Sequence, residues 1–70
     1  MEELTFGQKI KILRKNAGLT QRELGILCGF SPRVGEVTVQ HWEHDRRQPQ
    51  LEALRPLAKA LKITLDDLIP

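Results

Sequence analysis

Four side chains able to move protons or bind metals stand within five positions of this 70-residue chain: His41, Glu43, His44 and Asp45. Imidazole and carboxylate together supply zinc sites and acid–base pairs. The spacing here works against both uses. His41 and His44 are three apart in one short segment, no third ligand stands at a usable interval, and so small a chain has little room for a substrate pocket. The expectation is no metal, no cofactor and no catalytic centre. A second constellation overlaps the first. On a helix turning about 100° per residue, Glu36, Val37, Gln40, His41 and His44 share one side, and Val39 and Trp42 the other. Such a segment buries an apolar stripe and offers water a row of hydrogen-bonding side chains. Arg46 and Arg47 follow at once, in the basic loop His44 to Pro49. Taken alone, residues of this kind most often form an ordinary solvated face.

Helices must position them, because every apolar period in the chain is helical. Thr5 with Gln8 three residues on is a capping-box pattern, and Phe6, Ile10, Leu13 and Ala17 then recur at helical spacing up to Gly18. Thr20 to Glu23 is a second capping box, followed by Leu24, Leu27 and Cys28 and closed by Gly29. Phe30 to Gly35 is rich in turn formers and reads as a loop, so the third helix is expected from Glu36 to about Glu43. Leu51, Leu54, Leu57, Ala58 and Leu61 mark a fourth helix, in which Pro56 should produce a kink or a loosened first turn. Thr64 caps a last short helix carrying Leu65, Leu68 and Ile69.

Bulk properties bound the answer. Seventy residues make a single domain, expected over 5–69. Cys28 has no partner for an internal disulfide, and no apolar run approaches the ~18 residues of a membrane span. Met1-Glu2-Glu3 has the wrong charge for a signal peptide, so a reduced, cytoplasmic location is expected. The formal net charge is only +2. All eleven Lys and Arg lie between Lys9 and Lys62, while Glu2, Glu3, Asp66 and Asp67 sit at the ends; against the five other acids the middle carries +6. A basic centre with acidic tips suits a polyanion-facing surface, and suits solvated helix faces equally well.

From Arg14 to Pro49 the chain resembles the Cro/repressor-type helix-turn-helix family. The resemblance is carried by Arg14, Gly18-Leu19-Thr20-Gln21, Glu23-Leu24-Gly25, Gly29-Phe30-Ser31, Val39, Trp42-Glu43 and Pro49. Leu57-Ala58-Lys59-Ala60-Leu61 and Leu65-Asp66-Asp67-Leu68 extend it over about residues 5 to 69. It implies an all-α, compact five-helix lambda-repressor-like domain with helices two and three as the helix-turn-helix. It also implies an Arg14–Glu43 pair tying helix one to helix three. Three departures stand out. Gly25 replaces an alanine where helices two and three cross. Asp45 replaces a glycine, and aspartate tolerates the left-handed region better than most residues. Gly29 and Trp42 lie thirteen positions apart, about four more than is common, which reads as an insertion in the turn at Pro32-Arg33-Val34-Gly35. Ile26 and Leu27 fall at usually polar positions, and Pro32 and Val34 are expected to fold back over them.

By this resemblance the chain is expected to bind double-stranded DNA sequence-specifically, as a transcriptional regulator of repressor type, with helix three in the major groove and helix two across the backbone. Gln40 can both donate and accept, as adenine requires; Glu36 can accept from cytosine; Val37 can touch a thymine methyl; His41 can donate to a purine N7 or to phosphate. Thr38 completes the set on the reading helix. Gln21 resembles the family's phosphate-clamping glutamine, Arg46 and Arg47 are phosphate contacts, and Arg33 on the inserted turn is a further one. A homodimer on two half-sites is expected, with Leu65, Leu68 and Ile69 at its interface or in the core. The alternative is an antitoxin or other interaction module on the same fold, using Ile26, Leu27 or the last helix for a protein partner. The domain could also be one piece of a longer regulator.

Overall fold

The computed structural model describes residues 3–69; Met1 and Glu2, part of the segment weighed as a signal peptide, and Pro70 lie outside them. Five helices follow one another: α1 (Phe6–Asn16), α2 (Gln21–Leu27), α3 (Pro32–Glu43), α4 (Leu51–Ala60) and α5 (Leu65–Leu68). No strand occurs among the described residues.

Both capping boxes form. Thr5 Oγ1 accepts from the Gln8 amide at 3.1 Å while Gln8 Oε1 accepts from the Thr5 amide at 2.9 Å. Thr20 and Glu23 repeat the exchange at 3.0 and 2.8 Å, and that hydrogen bonding from Thr20 holds the Glu23 carboxyl below the usual glutamate range. Thr64 Oγ1 accepts from the Asp67 amide at the start of α5. Gly29 takes the left-handed turn after α2, with φ 98°.

The structure corrects the reading of α3. Pro32 to Gly35 form its first turn, not a loop, and the helix is 12 residues long. Proline is well placed at the first helical position, where its missing N–H leaves nothing unsatisfied. The extra turn brings Gly35 against Gly25. A Cβ on Gly25 would lie 2.6 Å from the Gly35 carbonyl oxygen, and one on Gly35 would lie 2.8 Å from the Gly25 Cα. The crossing of α2 and α3 is therefore a glycine–glycine backbone contact. The expected cover over Ile26 and Leu27 does not exist either: they are 45% and 53% exposed, and Val34 and Pro32 are themselves in solvent. Once those two residues belong to a helix, they cannot bend back over α2.

Ile10, Leu24, Val39, Trp42, Ala53, Leu57, Ala58, Leu61 and Leu68 form the core. The Phe30 ring meets Trp42 edge-on, centroids 6.0 Å apart. Cys28 packs half-buried against the same core, and burial pushes its thiol up to about 11. α4 runs unbroken through Pro56; its first turn is tightened, with the Ala53 amide bonded to the Gln50 carbonyl. Leu68 is core, leaving only Leu65 and Ile69 of the last apolar trio exposed. The Lys9 ammonium donates to the Asp67 carbonyl and ties α1 to α5.

Asp45 adopts the left-handed conformation, φ 58°, and its Oδ1 accepts from the Gly7 amide at 2.9 Å. The Thr5 hydroxyl, the Gly7 amide and the nearby His44 hold its carboxyl below the usual aspartate value. A folded-state pKa below the unfolded one contributes stability above about pH 4, lost as pH falls through the folded value. Asp45→Asn is therefore expected to melt below the parent at pH 6, and the gap is expected to narrow progressively as the pH falls below about 4. Parallel melts with an unchanged gap would contradict this.

Candidate nucleic-acid interface

α3 has two faces of different chemistry. Gly35, Val39, Trp42 and Glu43 are buried, with Trp42 only 3% exposed. Opposite them Arg33, Val37, Gln40 and His44 stand in solvent at intervals of four, three and four residues, one continuous stripe. The extra turn puts Arg33 on this stripe, one turn before Val37. Read as part of a turn, it had no defined direction. His41 flanks the stripe half-buried, and Glu36 does so on the other side. Thr38 does not join it. Its side chain turns to the opposite flank, into a hollow with Cys28, Phe30, Val34 and Trp42 that Arg47 also lines. His44 donates from Nδ1 to the Gln40 carbonyl at 2.9 Å, which fixes the ring at the end of the row. Sequence reasoning counted His44 in the row and gave it no contact. Arg46 and Arg47 are exposed in the loop after α3.

Behind the stripe lies a chain of hydrogen bonds with a forced direction. Arg14 Nε donates to Glu43 Oε2 at 2.6 Å, and Arg14 Nη1 to the Leu19 carbonyl at 2.8 Å. A carboxylate only accepts, so Gln21 must turn its Nε2 to Glu43 Oε1, at 3.1 Å. That aims Gln21 Oε1 outward, where Gln40 Nε2 donates to it at 3.3 Å. Gln40 is left with its oxygen and one N–H free and facing solvent. The buried ion pair of α1 and α3 thus sets the amide orientation of an exposed side chain on the row.

Gln21 stands half-buried at the first turn of α2, beside this row. Among the described residues no three His, Cys, Asp or Glu side chains are grouped to hold a metal ion, and no helix is long and apolar enough to cross a membrane.

The architecture and the sequence point to one family. Residues 10–68 match the helix-turn-helix family model. The chain belongs to the Cro/repressor-type helix-turn-helix family. Within that family α2 and α3 are the helix-turn-helix of this chain. The P22 c2 repressor protein, solved in complex with synthetic operator 9T in the presence of Tl+, is similar: TM-score 0.81, 32% identity, 94% of each chain covered. No curated protein sequence matches the helix-turn-helix chain described here.

Proposed function

We propose that residues 5–69 form one unit that binds double-stranded DNA sequence-specifically, as a transcriptional regulator of repressor type, and that the chain works in the cytoplasm without cofactor or catalysis. One observation carries the reading: on the second helix of a helix-turn-helix, Val39 and Trp42 are inside while Arg33, Val37, Gln40 and His44 face out. That stripe spans eleven helical rises, roughly 16 Å, enough to lie along the major groove. The likeness to a repressor solved on its operator supports the same use of α3.

The roles follow from chemistry. Gln40 keeps one acceptor and one donor, the pair that adenine's N6 and N7 require. Val37 meets a thymine methyl, His41 a purine N7 or phosphate, and Glu36 a cytosine amine. Gln21, Arg33, Arg46 and Arg47 hold phosphates; Thr38, turned into its hollow, is the one reading-helix residue for which the geometry offers no groove contact. Two copies on two-fold-related half-sites complete the proposal, with Leu65 and Ile69 as the apolar surface available for pairing.

Duplex titrations test it. Arg46→Ala should weaken binding to cognate and random duplexes alike and lower the slope of log affinity against log salt by about 1. Gln40→Ala should instead narrow the gap between cognate and random duplexes by roughly tenfold. If the two variants behave identically, the division between positioning and reading is wrong.

A further inference from the structure

We propose that the groove between the C-terminal end of α2 and α4 docks an acidic segment of a partner protein, one carrying leucine-sized side chains between carboxylates. This is independent of the DNA-binding reading. The groove encloses about 700 Å³, and Leu19, Leu27, Pro56 and Ala60 supply its apolar lining. Arg55, Lys59 and Lys62 stand at its edge, all three exposed, and no carboxylate lines it. Leu27, more than half in water, has Ile26 exposed beside it, so α2 presents two large apolar side chains to solvent. An apolar floor bordered by cations alone complements a ligand that is apolar at its centre and anionic at its edges. A nucleic-acid backbone would use the cations and leave Leu27 and Pro56 without a partner. The groove also shares no residue with the stripe on α3.

A second observation points to the same edge. Lys62, with φ 60°, holds the left-handed conformation just after α4, where glycine sits without strain. Asp45, the other non-glycine residue in that conformation, uses its side chain to accept from the Gly7 amide. The backbone accounts for the Lys62 conformation, since the Lys62 amide donates to the Lys59 carbonyl and the Ile63 amide to the Ala58 carbonyl, both at 3.1 Å. It leaves the Lys62 ammonium at the groove edge with no hydrogen bond or ion pair among the described residues. A carboxylate brought by a partner would pair with that ammonium.

The test uses the whole 70-residue chain, isotopically labelled, and a short synthetic helical peptide of repeated Leu-Leu-Glu-Asp units. Amide shifts are expected at Leu19, Leu27, Lys59 and Ala60. The Lys59→Glu, Lys62→Glu pair should lower peptide affinity about tenfold while duplex binding stays within about twofold of the parent. Lys62→Gly should raise the melting temperature and weaken the peptide about threefold. The proposal is overturned if the peptide gives no shifts at millimolar concentration, or if the shifts fall on α3. It is also overturned if the double charge reversal costs as much DNA affinity as peptide affinity, which would make this edge a DNA surface. Unchanged peptide affinity in Lys62→Gly would remove Lys62 from the site.

Discussion

Glu43→Ala should abolish the cooperative thermal transition of this domain. Arg14 and Glu43 are 8% and 6% exposed, and the substitution leaves a guanidinium buried with its principal partner gone. Losing one member of such a pair typically costs 3–5 kcal/mol, and a domain of this size rarely holds more than about 3–5 kcal/mol in all. Far-UV circular dichroism against temperature reads the result directly. The informative companion is the double variant Arg14→Leu, Glu43→Leu. With both charges removed, no ion is stranded, and apolar replacements of a buried pair are often neutral or better. It should melt near the parent. Its DNA binding should still fall roughly threefold to tenfold, because Gln21 loses the carboxylate that orients it and Gln40 must then be ordered on binding. A double variant as unstable as Glu43→Ala would mean that the volume, not the charge, holds α1 to α3.

The next largest effect is expected at the glycine crossing. Gly25→Ala and Gly35→Ala each place a methyl group against the backbone of the facing helix rather than against a movable side chain. Alanine gains about 1 kcal/mol in helix propensity, but forcing two backbones apart in a packed core typically costs 1–3 kcal/mol and occasionally more. Here the obstacle is main chain, so the clash should dominate, with a net loss of about 2 kcal/mol and a fall in melting temperature of roughly 10 °C. Gly18→Ala is the control. Nothing lies within 4 Å of its Cβ, but its φ of 74° disfavours any side chain, so its cost should be smaller and free of packing effects. An unchanged melting temperature in Gly25→Ala would show that α2 and α3 separate freely.

Much of this was legible because local chemistry and global fold agree. Thr5, Thr20 and Thr64 announce helix starts by hydrogen bonds that need only their own neighbours, and all three caps form. Val39 and Trp42 could be turned inward, and Gln40 outward, by periodicity alone. The first turn of α3 was not legible. Ser31, Pro32 and Gly35 are turn formers by type, and only tertiary contact reveals that Pro32 is an N1 proline and that Gly35 is kept small by Gly25. That single shift of four residues accounts for the direction that Arg33 lacked in the sequence and for the missing cover over Ile26 and Leu27. Thr38 lies off the row for a simpler reason: the step forward from Val37 rotates it away from Arg33, Gln40 and His44, whereas the step back to Glu36 stays on the Gln40 side. Lys62 gave no signal, since lysine is not among the residues enriched in the left-handed region.

The half-buried thiol of Cys28 supplies a clock for the breathing of α2. With its pKa near 11, only about one molecule in ten thousand carries the thiolate at pH 7, so alkylating reagents attack the closed domain very slowly. Whenever the segment opens, the sulfur regains the ordinary acidity of a solvated cysteine and is captured. The pace of labelling by iodoacetamide, followed by mass spectrometry, therefore measures how often the C-terminal end of α2 comes loose, with and without a bound duplex.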